Sequence, residues 1–534
     1  MSFFKLIYSF LRQSILIKSF KVLFAFSLLY FAFQLIHYHY YLTTCPYPIM
    51  YREGHIMATT VKLLHGVNPY NFVLEPQYSN LYGIVYPLFV LPFANLFGVN
   101  LIVHRAITAF FIFATCTVIF LVLYKKKTPL LLNIWAVLVL YASLLFPLTT
   151  TPCVDPAATG LFFMLLTIFI PFFLDFSYLS FFFSILCGAL AFYCKAYFLL
   201  GLPIMVSYLF LFVSKKKSLI FGLSSLIFLL LSAFWMNHYF PSYFDDCFFV
   251  NYNISAQSTM MIVLERQLYR FADIHKAIIL VIIVASSLLI VRSFKVVRNN
   301  GFKDSIKSWF PLFSWNSFEK PLISIRLPLD IFAGVFLGCV LIFSMGRHYG
   351  ANLWYFFQLF SPFLVIFVAW LVGQISLWPI FFSFLLLYNL FLLSSDDDYK
   401  YFDKHVPGWN TMEMLVRSNG NIYNSSLIAP LLIQDNKEII DDGSAFYPQG
   451  GNRNGLLGHF FKEDKRVGEA QAIFANKIND MITNRKFDLV IIEAGYSSDV
   501  LPSNLSNYYK LAGSLVVNSP QDRKFYLMKV WRPI

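Results

Sequence analysis

Apolar runs long enough to cross about 30 Å of hydrocarbon recur through residues 1–394. None occurs in residues 395–534. Lipid offers no partner to backbone N–H and C=O groups, so such runs must close their hydrogen bonds internally, as helices. The pattern divides the chain into a polytopic helical membrane domain, 1–394, and a separate domain, 395–534. Composition agrees: 58% hydrophobic and 13% charged residues, with a mean hydropathy of +0.63, are too apolar for a soluble globular chain of this length. The 62 Phe and 32 Tyr suit a lipid-facing surface with interfacial rings.

The spacing predicts about eleven spans. Their cores are Val22 to Ile36, Val103 to Tyr124, Leu130 to Phe146, Ala158 to Leu174, Leu179 to Tyr193 and Tyr197 to Val213, then Leu219 to Trp235, Ala277 to Val291, Ile331 to Ser344, Leu353 to Leu371 and Leu377 to Leu393. Residues 1–394 hold 25 Lys+Arg against 11 Asp+Glu, and 17 of the 25 fall in loops that this topology places on the N-terminal side. Cationic loops stay cytoplasmic, so the N-terminus is expected inside and the C-terminal domain outside. The first helix has no small-residue cleavage pattern after it and reads as an uncleaved anchor. The net charge of +13 then needs no nucleic-acid partner, because the membrane part alone supplies 25 − 11 = +14 as flanks of its spans.

The same topology puts Glu53, Asp155, Lys195, Asp245, Asp246 and Arg347 on one face, the outer one. The outer loop 43–102 carries two helical patterns. One holds Ile56, Val61, Leu63 and Leu64 and stops at Gly66. The other, Val85 to Phe97, contains Pro87 and Pro92 and reads as a re-entrant or surface segment rather than a span. Seven cysteines show neither a CxxC pair nor metal-ligand spacing. Cys45, Cys153 and Cys247 face outward and admit one disulfide or three free thiols.

Each candidate residue has two readings. Glu53 either pairs with Arg52 or sits solvated beside headgroups, or it takes a proton from a hydroxyl nucleophile. Asp155, in Thr151-Pro152-Cys153-Val154-Asp155-Pro156, is a helix cap or a functional carboxylate. Lys195 interrupts an apolar stretch, where a cation must be paired or near water. It either snorkels at a hairpin or binds an anion. Arg347 and His348 with Trp354 and Tyr355 form an interfacial belt or a ligand clamp. Asp245-Asp246 lies in a long loop and reads mainly as solvated.

A first helix, then Arg52-Glu53-Gly54-His55, then an amphipathic stretch ending Gly66-Val67-Asn68-Pro69-Tyr70, resembles the opening of membrane glycosyltransferases of the GT-C class. The Pro-flanked Asp155, a basic residue at Lys195, and Gly346 to Phe356 resemble later segments of that class. The likeness covers roughly residues 20 to 394. It implies a GT-C fold of polyprenyl-phosphate-sugar-dependent type, as in protein mannosyltransferases and aminoarabinose transferases. Glu53 and Asp155 are then catalytic, Lys195, Arg347 and His348 bind the donor phosphate, and Tyr70, Trp354 and Tyr355 contact substrate. The expected partners are a polyprenyl-phosphate sugar, membrane lipids and a glycan, lipid or protein acceptor. The pattern assigns no certain cofactor and leaves a divalent metal open. Many such enzymes carry a second acidic residue beside the first, where this chain has Arg52, which weakens the case for a divalent metal. Three rivals remain: a ligase or polymerase using a lipid-linked oligosaccharide, a transporter or scramblase, and a non-catalytic binding protein. The basic, Phe-rich composition favours a bacterial inner membrane, with the endoplasmic reticulum as the alternative.

In 395–534, strands are predicted at Leu427 to Ile433, Phe487 to Ile492 and Phe525 to Trp531, with a helix from Gly468 to Ile482, giving a small α/β fold. Gly450 to Gly455 lacks the Lys-Ser/Thr of a P-loop, so no nucleotide site is assigned.

Overall fold

The computed structural model describes residues 14–50, 52–70, 82–145, 152–250, 319–323, 327–344, 353–374, 407–441, 465–494, 504–519 and 524–534, with isolated positions at 279–287, 379 and 501. It is mostly helical, with a small C-terminal sheet. Among the described residues, four segments are long and apolar enough to cross a bilayer: Ile17–Thr44 within α1 (Ser14–Thr44), α4 (Leu101–Lys125), the stretch Ala196–Val213, and α9 (Lys215–Tyr239). The stretch Ala196–Val213 is a composite. A 3-10 turn, Ala196–Leu200, leads into α8 (Gly201–Tyr208), which loosens into a π turn at Leu209–Val213.

Between these lie shorter apolar helices: α3 (Val85–Phe97), α5 (Leu130–Leu145), α6 (Ala157–Phe173) and α7 (Tyr178–Phe192). A helix of α5's length rises about 24 Å, short of the hydrocarbon thickness. Later come α10 (Leu329–Ser344) and α11 (Leu353–Gly373). The helices therefore coincide with most of the expected span cores, whereas the segments at 277–291 and 377–393 fall largely outside the described residues. One contiguous core, including Trp135, Phe169, Phe198 and Phe221, joins α1 and α4 to α11. Exposed apolar stripes run along α1, with Phe26, Leu29 and Phe33, and along α9, with Leu223, Leu230 and Phe234. A helix that turns large apolar side chains outward in this way is suited to lipid.

The basic clusters gather at one end of the bundle. Lys126 pairs with Asp330 at 2.6 Å, Lys125 donates to the carbonyl of Phe172 at 2.7 Å, and Lys217 to that of Phe176 at 2.8 Å. Arg105, near the other end of α4, is twenty residues from Lys125, or about 30 Å along a helix. The loop between α1 and α4 is at that second end. It contains α2 (Glu53–Leu64), whose Ile56 and Met57 are buried, and α3, whose 13 residues include Pro92. Gly66 has a positive φ of 68° where α2 ends.

The C-terminal domain is an α/β unit. In chain order it has α12 (Pro407–Ser418), β1 (Ile422–Asn424), α13 (Ala429–Gln434), β2 (Ile440–Asp441), α14 (Lys465–Thr483), β3 (Leu489–Glu493), β4 (Tyr509–Ser519) and β5 (Lys524–Pro533). The sheet order is β2-β1-β3-β5-β4; the first three strands are parallel and the last two antiparallel to their neighbours. Two of the expected strands match β3 and β5, and the expected helix matches α14. The strand expected at Leu427 to Ile433 is instead a 3-10 turn running into α13. Ser425 caps that turn, and Pro430 sits in the first turn of the helix, where its missing N–H costs nothing.

This domain docks on α2 and the turn before it. Ala429 and Ile433 of α13 pack with Ile56 and Met57, Tyr47 stacks on Trp409 at 5.5 Å, and the Ser519 hydroxyl donates to the Ile49 carbonyl at 2.9 Å. The Gln434 amide oxygen accepts from the Leu101 N–H at 3.2 Å. Gly54 makes the approach feasible, since a Cβ there would lie 2.5 Å from the Cβ of Ala429. Gly54→Val should push α13 off α2 at an overpacking cost of about 1–3 kcal/mol. The checks are a lower thermal midpoint in detergent and faster proteolysis between the two domains; an unchanged midpoint would mean that the seam is loose.

Candidate functional site

Two fully buried ion pairs sit side by side where the first loop meets the bundle. Glu53, the first residue of α2, receives Arg105 of α4 in a two-pronged contact, Nε to Oε1 at 2.9 Å and Nη2 to Oε2 at 2.8 Å. Both side chains have zero exposure. The Ile49 N–H donates to Oε2 at 2.8 Å and the Val154 N–H to Oε1 at 3.1 Å, with Met50 N–H adding a longer contact at 3.4 Å. A carboxylate offers about four lone-pair positions. In Glu53 all of them are taken.

Arg105 is equally engaged. It donates to the carbonyls of Cys45 at 2.6 Å, Tyr47 at 2.9 Å and Leu42 at 3.4 Å. Arg52 takes no part in this pair; its guanidinium donates to the Tyr82 hydroxyl at 2.7 Å. The partner of Glu53 is thus Arg105, which sequence reasoning left unremarked inside the second apolar run. The available signal was its cost: an arginine in an apolar span demands an acid or a water path.

The second pair follows one residue beyond Val154. Lys195 donates to both oxygens of Asp155, at 2.7 and 2.9 Å, and lies 4.4 Å from the centre of the Tyr82 ring. Asp155 Oδ1 also accepts from the Ala157 N–H at 2.7 Å, so it caps α6 and binds Lys195 at once. Among the described residues Oδ2 accepts from Lys195 alone. Asp155 therefore keeps lone-pair capacity that Glu53 lacks.

Backbone pairing fixes this geometry. The N–H groups of Gly83 and Val85 donate to the carbonyls of Cys194 and Tyr193, at 3.0 and 3.1 Å, which lays Tyr82 against Lys195. Only glycine fits at position 83, because a Cβ would fall on the Tyr193 carbonyl. Tyr70 donates to the Tyr82 carbonyl at 2.9 Å and meets Tyr243 edge-on at 4.8 Å. The Cys247 thiol reaches the same carbonyl at 3.4 Å, which brings buried Asp246 to this wall. Burial pushes the Tyr243 phenol and the Cys247 thiol well up, the latter with help from the Asp246 charge. Both stay protonated, and all seven cysteines are free thiols.

The structure thus brings together Glu53, Asp155, Lys195 and Tyr70. Arg347 and His348 lie outside the described residues. Trp354 and Tyr355 belong to the first turn of α11, and their side chains are not among those described. Among the described residues no cluster of three or more His, Cys, Asp or Glu is arranged to hold a metal. Comparison with family models, with curated proteins and with solved structures finds no match for this chain.

Removing one partner of a buried pair strands the other charge, at about 3–5 kcal/mol. Arg105→Met and Glu53→Gln should each destabilise the protein by that order. The double variant should be less destabilised than the two single losses summed, which equilibrium unfolding in mild detergent can read. Strict additivity would mean that the pair is not coupled.

Proposed function

We propose that this protein is a polytopic GT-C glycosyltransferase that moves a sugar from a polyprenyl-phosphate donor to an envelope acceptor. The observation that supports this reading is the Asp155–Lys195 pair, held beside a saturated Glu53–Arg105 frame at the bundle end covered by the C-terminal domain. The reading includes the eleven-span topology, a bacterial inner membrane, a cytoplasmic N-terminus and a periplasmic C-terminal domain. The site end is then the outer one.

In this reading Lys195 passes from Asp155 to the donor phosphate and stabilises the charge that grows on the leaving group. The exchange frees the Asp155 carboxylate to take the acceptor's proton. The acceptor oxygen then bonds to the anomeric carbon as the carbon–oxygen bond to phosphate breaks, with inversion, and polyprenyl phosphate departs against Lys195. Glu53 serves as the positioning residue that fixes Val154, and through it Asp155. The earlier expectation gave Glu53 the base role. With its lone pairs occupied, Glu53 could act as base only after releasing a donor.

The test uses purified protein in detergent with envelope lipid extract and a panel of radiolabelled polyprenyl-phosphate monosaccharides. Wild type should transfer label, and folded Asp155→Asn and Lys195→Met should lose at least 100-fold. Activity retained in Asp155→Asn but abolished in folded Glu53→Gln would return the base role to Glu53. No consumption of any monosaccharide donor would favour a ligase that uses a lipid-linked oligosaccharide, or a transporter.

A further inference from the structure

The first turn of α6 holds more hydrogen-bond donors than the chain uses. A helix begins with N–H groups that have no carbonyl four residues back within the helix. In α6 the Gly160 N–H reaches the Pro156 carbonyl at 2.9 Å, and the Ala157 N–H is taken by Asp155 Oδ1 at 2.7 Å. Proline at the cap position supplies no side-chain acceptor for the others. Among the described residues, no acceptor meets the N–H groups of Ala158 and Thr159.

Thr159 adds a second and independent deficit. Its side chain is fully buried, and among the described residues its hydroxyl has no partner. Thr59, Thr108, Thr117 and Thr167 show the usual outcome within a helix, where the hydroxyl donates to the carbonyl four residues back. For Thr159 that carbonyl belongs to Asp155, before the helix begins. Side chains lean towards the N-terminus of their helix, so the hydroxyl leans over the same turn as the two unmet N–H groups.

The surroundings of this turn are cationic. The Lys195 ammonium and the Ala157 N–H meet on one oxygen, Asp155 Oδ1. Phe198, three residues beyond Lys195, packs so closely on Gly160 that a Cβ there would fall on its ring. Two N–H groups, a hydroxyl, an ammonium and the positive end of a 17-residue helix thus border one carboxylate. Donors in that number suit a tetrahedral oxyanion, whose oxygens take more bonds than a carboxylate's.

We propose that the first turn of α6 is a subsite for a lipid-borne phosphate, in which the Ala158 and Thr159 N–H groups and the Thr159 hydroxyl bind phosphoryl oxygens while Lys195 meets the charge. Asp155 repels such a phosphate as a carboxylate, and it loses that charge when it takes the acceptor's proton. A sugar phosphodiester presents two non-bridging oxygens, and breaking its carbon–oxygen bond frees a third, so the surplus donor meets charge that only the leaving group carries. That last step rests on the glycosyltransferase reading above; the phosphate subsite itself does not.

The experiment measures binding of a fluorescent short-chain prenyl monophosphate to the full-length protein in nanodiscs, with the matching prenyl alcohol as control. Thr159→Val, nearly isosteric, should weaken phosphate binding about tenfold or more and leave alcohol binding unchanged. Its thermal midpoint should hold or rise, because the substitution removes an unmet buried hydroxyl; a merely structural threonine would give the opposite sign. Thr159→Ser should restore the affinity. No binding of the monophosphate by wild type, unchanged affinity in folded Thr159→Val, or an equal loss for phosphate and alcohol would overturn the proposal. Inorganic phosphate competing as strongly as the unlabelled prenyl monophosphate would overturn the assignment to a lipid. Phosphate binding that depends on Thr159, in a protein that consumes no sugar donor, would keep the subsite while the transferase reading fails.

Discussion

A carboxylate and a guanidinium, both shut off from water, tie five parts of this chain into one unit. Glu53 brings α2, the turn at Ile49 and Met50, and the Val154 backbone to a single point, and Arg105 adds α4 and the carbonyls from Leu42 to Tyr47. Such a pair need not add net stability, because desolvating both ions offsets much of their attraction. Its value lies in geometry. Every donor and acceptor is committed, so a change in the position of any one strand of the network leaves a buried charge short of a partner.

The Asp155–Lys195 pair inherits its position from that frame and is built differently. Lys195 rests on an aromatic face and on a carboxylate with spare capacity, so an incoming anion can compete for it without dismantling a fold element. A compact ammonium on a flexible stem suits such an exchange better than a planar guanidinium locked on both prongs. The two carboxylates differ: that of Glu53 is saturated, and among the described residues that of Asp155 is not.

The change from apolar helices to a small C-terminal sheet was legible in hydropathy, as was the gathering of Glu53, Asp155 and Lys195, because lysine clusters at one end of the helices put the remaining charges at the other. Pairing was not legible. Arg52 adjoins Glu53 in sequence, yet residues at the junction of a turn and a helix project in different directions, and the true partner lies 52 positions away. The strand expected at Leu427 to Ile433 failed for a related reason: a short apolar run does not separate a buried strand from a buried helix. The Ser425 cap and Pro430 carried the deciding signal. Strand β4, with exposed Lys510 and Leu511 and a bulge near Gly513, presents no clean alternation to read.

Tyr47 shows how the two domains are coupled. Its carbonyl accepts from Arg105, its ring stacks on Trp409, and its hydroxyl donates to the Asn410 side chain at 2.6 Å. Ser519 of β4 holds the Ile49 carbonyl while the Ile49 N–H holds Glu53, so two short paths lead from the soluble sheet to the buried carboxylate. A displacement of the C-terminal domain large enough to break either path would also remove a donor or an acceptor from the Glu53–Arg105 network. Because the cost of an unmet buried charge far exceeds that of a surface contact, the domain is held to the membrane part by the network beneath it as much as by the apolar seam between them.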